Sequence, residues 1–371
     1  MKITIIQGAF LPVPPIMGGA VEKMWLRLGQ EFVQAGHEVT HISRQHSSLP
    51  KEDEIEGVRH IRVHGYNTPN SILKLKWLDL IYSRRACRMV PPDSQLVVTN
   101  TFWSPLMLRN GGKSKAYVDV ARMPKGQMRL YSGARLRANS TPVAAAIRGE
   151  LPARDHDRIV VIPNPLPFVV NDELDVSLKP PVLLYCGRVH PEKGLHLAIQ
   201  AMRLLENPWP LRIVGPWETG QGGGGEAYKN ELAKAAQGLP VTFVGPVHEV
   251  DTLNEEYRSA AIFLYPSVAV KGETFGLAPL EAMAWGCAPI VSNLDCFKDF
   301  IRHGENGLIF DHDGPAAVTN LAESIRRLSC DPMSRHKFGR EALKVRQTHS
   351  SRAIARLFLD DFAYFVDVNN R

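Results

Sequence analysis

Residues 271–292 read KGETFGLAPLEAMAWGCAPIVS and hold two carboxylates, Glu273 and Glu281, eight positions apart on either side of Gly276. The apolar run Ala261–Pro266 before them reads as a strand, the glycine as a turn, and the residues from near Phe275 onward as a helix. A strand–turn–helix of this kind presents the N–H groups of Thr274, Phe275, Gly276 and Leu277 at a helix start, where a phosphate binds. Taken singly, each glutamate is more often a solvated charge at a helix edge. The ordered spacing around a glycine turn selects the functional reading.

Working outward, the chain from Pro181 alternates regularly: strand 182–186, helix 195–204, strand 211–214, helix 226–237, strand 241–244, and a further strand at 261–265 after another helix. Such alternation gives a parallel, doubly wound sheet. The turn after its first strand reads GRVHPEKG and places Arg188 and Lys193 near the carboxyl end of a strand, where these sheets bind ligands. Two cations there can neutralise a diphosphate. The first half has the same grammar. A strand at 2–7 leads through a proline-rich loop to Gly18-Gly19, then to a helix whose stripe is Val21, Met24, Leu28 and Phe32, ending at Gly36 before a strand at 38–43. Further strands read at 96–99, 115–120 and 158–162, with a helix at 142–147 behind a Ser140 or Thr141 cap. The proline-spaced segment 163–181 marks the domain boundary.

The Glu273/Glu281 spacing and its flanking E-T-F-G-L and E-A-M-A-W-G-C-A-P resemble the signature of retaining glycosyltransferases, glycosyltransferase family 4 (glycosyl transferases group 1), and GRVHPEKG is similar to that family's G-R-x-x-x-x-K-G. The resemblance implies the α/β GT-B fold: two Rossmann-like doubly wound parallel-sheet domains facing across a cleft. Domains are expected at 1–165 (acceptor side) and 166–349 (nucleotide-sugar side), with 350–371 forming a helix that crosses back to the first. The implied reaction moves a sugar from a nucleotide diphosphate sugar to a sugar, lipid-linked or small-molecule acceptor hydroxyl with retention, without a metal or other cofactor. Arg188, Lys193 and Glu273 would be catalytic. Gly18, Gly19, Val247, Leu253, Thr274, Phe275, Gly276, Leu277 and Glu281 would bind the donor. Many family members carry a histidine in the loop after the strand at 115–120; the nearest residue here is Asp119, with Arg122 and Lys125 as candidates to meet anionic ligands. Rival readings are a non-catalytic sugar-nucleotide-binding protein, a sugar-nucleotide epimerase and an NAD-dependent oxidoreductase.

Composition agrees with two packed domains. The chain has 371 residues, 44% of them hydrophobic, with 44 Lys and Arg against 38 Asp and Glu. A net charge of +6 favours anionic partners, yet no dense basic run interleaved with aromatics appears, so nucleic acid is not expected. Five cysteines without a C-x-x-C pair fit a reducing, cytoplasmic setting. Residues 71–90 read as a helix with Leu73, Trp77, Leu80 and Ile81 as its apolar face and Lys74, Lys76, Arg84, Arg85 and Arg88 as its charge. Packing into the core with a solvated basic face is the reading taken; peripheral contact with the inner face of a membrane is the second. The run GQGGGG at 220–225 contains G-x-G-x-x-G, but no acid lies on the next strand, which argues against a dinucleotide. Asp155-His156-Asp157 and Asp311-His312-Asp313 lack convergent ligands from other elements, so no metal is expected, and Asp313 reads as a cap for a helix at 315–328.

Overall fold

Strand β1 (Lys2–Ile6) is a β-branched run, KITII, with four of its five residues buried, which suits the middle of a parallel sheet. The structure, a computed structural model, describes residues 1–109, 115–170 and 172–368. It divides into two units, Met1–Pro167 with His349–Arg371, and Phe168–Thr348.

In the first unit β1 leads to α1 (Ala20–Gln34), whose buried stripe is Trp25, Leu28 and Phe32; Val21 and Met24 are only half-buried. Next come β2 (Glu38–Arg44), β3 (Glu52–Ile55), β4 (Val58–Val63), α2 (Ile72–Arg88), β5 (Leu96–Thr99), α3 (Ser104–Arg109), β6 (Lys115–Val120), β7 (Arg135–Ala138), α4 (Thr141–Glu150) and β8 (Ile159–Val161). The sheet order is β3-β4-β2-β1-β5-β6-β7-β8, parallel except for the β3–β4 hairpin. That hairpin has no hydrophobic signature, because EDEI is mostly acid. Its turn, Glu56-Gly57, has φ of 49° and 77° at the two positions. Ser140 caps α4, its Oγ accepting from the Val143 N–H at 3.4 Å.

Helix α2 departs from expectation. Its buried residues are Asp79, Tyr82, Ser83 and Ala86, whereas Leu73 and Trp77 are 81% and 62% exposed and Leu80 and Ile81 are half-buried. The N-terminal part of the stripe taken for the core face, Leu73 and Trp77, points outward, because a second stripe one half-turn away fills the space beneath.

The second unit runs β9 (Leu183–Cys186), α5 (Leu195–Arg203), β10 (Leu211–Val214), α6 (Gly225–Ala235), β11 (Val241–Gly245), α7 (Val250–Arg258), β12 (Ile262–Tyr265), α8 (Leu277–Ala284), β13 (Ala288–Ser292), β14 (Leu308–Phe310), α9 (Ala317–Cys330), α10 (Pro332–Ala342) and α11 (Val345–Thr348). Its six strands are parallel in the order β11-β10-β9-β12-β13-β14. The order reverses between β9 and β12, and a doubly wound sheet offers its ligand crevice beyond the carboxyl ends of the strands at such a point. Two boundaries shift. Helix α8 starts at Leu277 rather than near Phe275, and α9 is capped at Ala316, so Asp313 is not its cap. The Asp313 N–H instead donates to Asp311 Oδ1 at 3.2 Å, a turn that ends before the helix starts.

Helix α12 (Ser351–Val368) packs in the first unit against α1 and β6. The Phe358 ring lies 5.1 Å from Trp25, and Phe362 lies 4.7 Å from Tyr117. Leu357, next to Phe358 in the helix, is 44% exposed. Asp361 accepts from Tyr117 Oη at 2.9 Å and Arg135 Nε at 3.1 Å, fixing the helix in register. Residues 369–371 of the expected 350–371 segment lie outside the described residues. Among the described residues no helix is long and apolar enough to cross a membrane.

Candidate active site at the strand ends of the second unit

Strand β9 is buried and apolar until Cys186, and the chain then turns through Gly187 into the segment that carries Arg188 and Lys193. His190 closes this turn by accepting from the Glu192 N–H at 3.3 Å. Gly194 ends it with φ 68°, and a Cβ there would stand 1.9 Å from the Pro266 carbonyl oxygen. That close approach joins the loop after β9 to the loop after β12. It brings Lys193 Nζ to 2.6 Å from Glu273 Oε2, with both side chains about nine-tenths buried. The ammonium also lies 5.5 Å from the Tyr265 ring centroid. Ser267 Oγ stands 3.2 Å from Glu273 Oε2 and 3.2 Å from the Glu192 carbonyl oxygen, so its single proton serves one acceptor at a time. Burial, then the neighbouring Glu273 charge, pushes the Tyr265 phenol well above its ordinary range.

Arg188 is the more open cation, 43% exposed, and its guanidinium is held by Glu192 Oε1 at 2.7 Å and the Gly222 carbonyl at 2.6 Å. The glycine run thus acquires a concrete role. Gly222 holds Arg188, and the Gly224 N–H donates to the Val189 carbonyl at 2.8 Å, lashing this loop to the one after β9.

Gly276 precedes α8 with φ 91°, and a Cβ there would meet the Phe297 ring at 2.5 Å. Only glycine fits this turn. Phe275 is buried, and Thr274 and Leu277 are half-buried. One turn into α8, Glu281 Oε2 accepts from Tyr257 Oη at 2.7 Å. Tyr257 is fully buried on α7, one turn after the half-buried Leu253, and Val247 lies half-buried in the loop between β11 and α7. Burial holds the Tyr257 phenol well above its usual range, reinforced by Cys186 and Glu281, so it stays a donor. The Cys186 thiol is itself pushed up to about 12 by burial. The structure therefore assembles two acid-centred clusters in this unit, Lys193–Glu273–Ser267 and Tyr257–Glu281. Sequence reasoning missed Glu192, Tyr257, Tyr265 and Ser267. Glu192 lies inside the GRVHPEKG turn, Tyr265 near the end of the strand run and Ser267 directly after it, so only Tyr257 had no positional signal.

The first-unit candidates fare differently. Gly19 caps α1 with the Glu22 carboxylate folded against it, 2.2 Å from where a Cβ would stand. Burial raises the Glu22 pKa, opposed by its own N–H and by Arg122, so Gly18-Gly19, Glu22 and Arg122 form one neighbourhood. Lys125 is exposed, its N–H held by Gln127 Oε1 at 2.7 Å. Asp119 is not in a loop. It lies within β6, fully buried, with Arg137 Nη1 at 2.7 Å and Trp25 Nε1 at 2.8 Å, so its two oxygens are committed to the core. Asp311, His312 and Asp313 hold donor atoms within 4.8 Å of one another, both aspartates being exposed.

Fold and geometry together define a GT-B protein. Over 98% of its length the chain superposes on a sucrose-phosphate synthase from Thermosynechococcus elongatus, covering all of that chain, with TM-score 0.75 at 20% identity. It also superposes on Anabaena Alr3699/HepE solved in complex with UDP, with TM-score 0.71 at 16% identity, covering 98% of this chain and all of that one. Residues 171–345, nearly the whole second unit, match the family model of glycosyl transferases group 1. Among curated relatives, a D-inositol 3-phosphate glycosyltransferase from Streptomyces bingchenggensis is 32% identical over 40% of this chain. Another of that name, from Arthrobacter sp., is 27% identical over 88% of this chain and 80% of its own length. The alpha-maltose-1-phosphate synthase of Mycolicibacterium smegmatis is 27% identical over 51% of this chain. The matches to the Streptomyces and Mycolicibacterium proteins span 33% and 52% of their own lengths.

Proposed function

We propose that this chain transfers a sugar from a nucleoside diphosphate sugar to an acceptor hydroxyl, with retention at the anomeric carbon and without a metal. The observation that carries the reading is the Lys193–Glu273 pair at the point where the sheet order reverses, flanked by Arg188 and by the glycine-capped start of α8. Lys193 and Arg188 supply fixed positive charge for the diphosphate as its bond to the sugar breaks, the preorganised stabilisation that dominates such reactions. The α8 N-terminus adds a partial positive charge. Glu273, held in place by Lys193 and Ser267, accepts hydrogen bonds from donor-sugar hydroxyls. Glu281, oriented by Tyr257, accepts from the ribose. In a front-face path the C1–O bond to phosphate breaks, the acceptor oxygen bonds to C1 on the same face, and its proton passes to the departing phosphate oxygen. Neither glutamate is the nucleophile.

Support comes from the UDP complex of HepE and from the transferase names of the relatives. The nicotinamide reading is not favoured, since the glycine run holds Arg188 and Val189. A thermal-shift screen with UDP-, GDP- and ADP-sugars tests the donor: a ligand at 100 times its Kd raises stability by about 2.7 kcal/mol. NMR of the product then reads the anomer, and EDTA in the same assay reads the metal. No shift with any nucleotide sugar, an inverted product, or activity abolished by EDTA and restored by Mg²⁺ would each overturn the corresponding part.

A further inference from the structure

Helix α2 carries two apolar stripes, and only one is covered. Leu75, Leu78, Tyr82 and Ala86 turn inward, whereas Leu73, Trp77, Leu80, Arg84 and Arg88 recur at helical spacing on the outer side. At the outer N-terminal end Ile72, Leu73 and Trp77 are 73%, 81% and 62% exposed, an apolar patch at the start of a surface helix. Trp77 has the amphipathic ring that prefers a boundary between water and hydrocarbon.

The exposed charges of α2 have one sign. Lys74, Lys76, Arg84 and Arg88 are exposed, and the helix's single acid, Asp79, is buried, its carboxylate accepting from the Phe102 N–H at 3.2 Å. Arg85 is turned aside to Tyr66 Oη at 2.9 Å. Beside the patch, Lys76 Nζ sits 5.0 Å from the Phe102 ring centroid and Trp103 Nε1 donates to the Lys76 carbonyl at 2.9 Å, which fixes the helix start on its support. An exposed apolar wedge on a helix that carries four exposed cations and whose single acid is buried complements a surface that is apolar beneath and anionic above.

We propose that the outer face of α2 docks on an anionic phospholipid bilayer, with Ile72, Leu73 and Trp77 entering the acyl boundary and Lys74, Lys76, Arg84 and Arg88 meeting headgroup phosphates. The surface belongs to the first unit and stands independently of the transfer reaction assigned to the second.

The test is flotation of the full chain with phosphatidylcholine–phosphatidylglycerol vesicles and with pure phosphatidylcholine vesicles. Expected is partition onto the anionic vesicles alone, weakening as salt rises. Leu73→Asp/Trp77→Asp should lose more than tenfold in partition with an unchanged thermal midpoint, because both side chains are exposed. Each of Lys74→Ser and Lys76→Ser should lose about fivefold. Should the double variant misfold, Trp77→Phe decides: it should keep flotation but lose a blue shift of emission that the wild type shows on binding. Equal flotation on both vesicle types, none on either, or full flotation by a folded Leu73→Asp/Trp77→Asp protein would overturn the proposal. Absence of flotation on either vesicle type would assign the charge to a water-soluble acidic partner.

Discussion

Both units reverse their sheet order once and place a glycine before the first turn of a helix near that reversal, yet they use charge in opposite ways. In the second unit Arg188 is 43% exposed and Lys193 sits at a strand end against Glu273, in the place where ligands of such sheets bind. In the first unit Asp119 and Arg137 are fully buried and bonded to one another, to Trp25 and to the Ile162 carbonyl. The contrast teaches that charge alone does not separate the two sets and that position does: Asp119 and Arg137 lie within β6 and β7, whereas Arg188 and Lys193 lie in the turn after β9. Asp119 meets core groups at both of its oxygens, whereas Arg188 keeps 43% of its side chain exposed beyond its bonds to Glu192 and Gly222.

The sharpest way to break that contrast is to remove one buried charge. Asp119→Ala leaves the Arg137 guanidinium buried without its carboxylate, and about 3–5 kcal/mol of stability should go with it. Chemical denaturation measures this, and the folded fraction should bind donor as the wild type does; a loss under about 1 kcal/mol would place Asp119 outside the core network. Lys193→Ala should act in the other direction, lowering kcat by about 10²–10³-fold with a much smaller loss of stability. Stopped or continuous assays at saturating donor decide, and near-normal turnover in a folded variant removes Lys193 from the reaction.

A third comparison uses pH. His41 and His60 are fully buried on adjacent strands β2 and β4, their rings stacked at 5.4 Å. Burial lowers both, with Arg62 adding to the effect and Asp53 partly opposing it at His60, which falls to about 4. A folded pKa below the unfolded one means that the unfolded chain binds more protons, so this stability is complete above about pH 6.5 and is lost as pH falls toward 4. The loss should reach about 1.4 kcal/mol per pH unit for each histidine. Denaturation at several pH values reads the slope, and His41→Leu/His60→Leu should flatten it; an equally steep slope in that variant refutes the assignment.

The smallest expected effect lies within the second unit. Glu281→Gln should mainly raise the donor KM, since a ribose contact is equal in ground and transition states, whereas Glu273→Gln should mainly lower kcat. Each change is worth about 1–3 kcal/mol. Wild-type constants for both would leave the Lys193–Glu273 and Tyr257–Glu281 pairs with a structural role alone.

Much of this was legible in the sequence, for identifiable reasons. Strand runs such as LVVT at 96–99 and IFLY at 262–265 are buried on both faces, so hydrophobic continuity marks them. The acids around Gly276 and the cations before Gly194 were readable because turns that admit only glycine leave a spaced pattern. The β3–β4 hairpin was not, because EDEI at a sheet edge carries no apolar alternation. Neither was the outward side of α2, since apolar residues on both stripes satisfy the same helical period and only packing chooses between them. Tyr257 was silent for a related reason: a tyrosine at helical spacing looks like core, and here it is core with a phenol aimed at Glu281.

The pairing of α12 with α1 and β6 orders events on the ribosome. Met1–Pro167 emerges first, but the face formed by Trp25, Phe32 and Tyr117 is closed by a helix made only after Phe168–Thr348 has been translated. At about 5–20 residues per second, that face waits roughly 10–40 s for its cover. The second unit is continuous in the chain and can close as it emerges, so the unit that is first in sequence is the last to be completed.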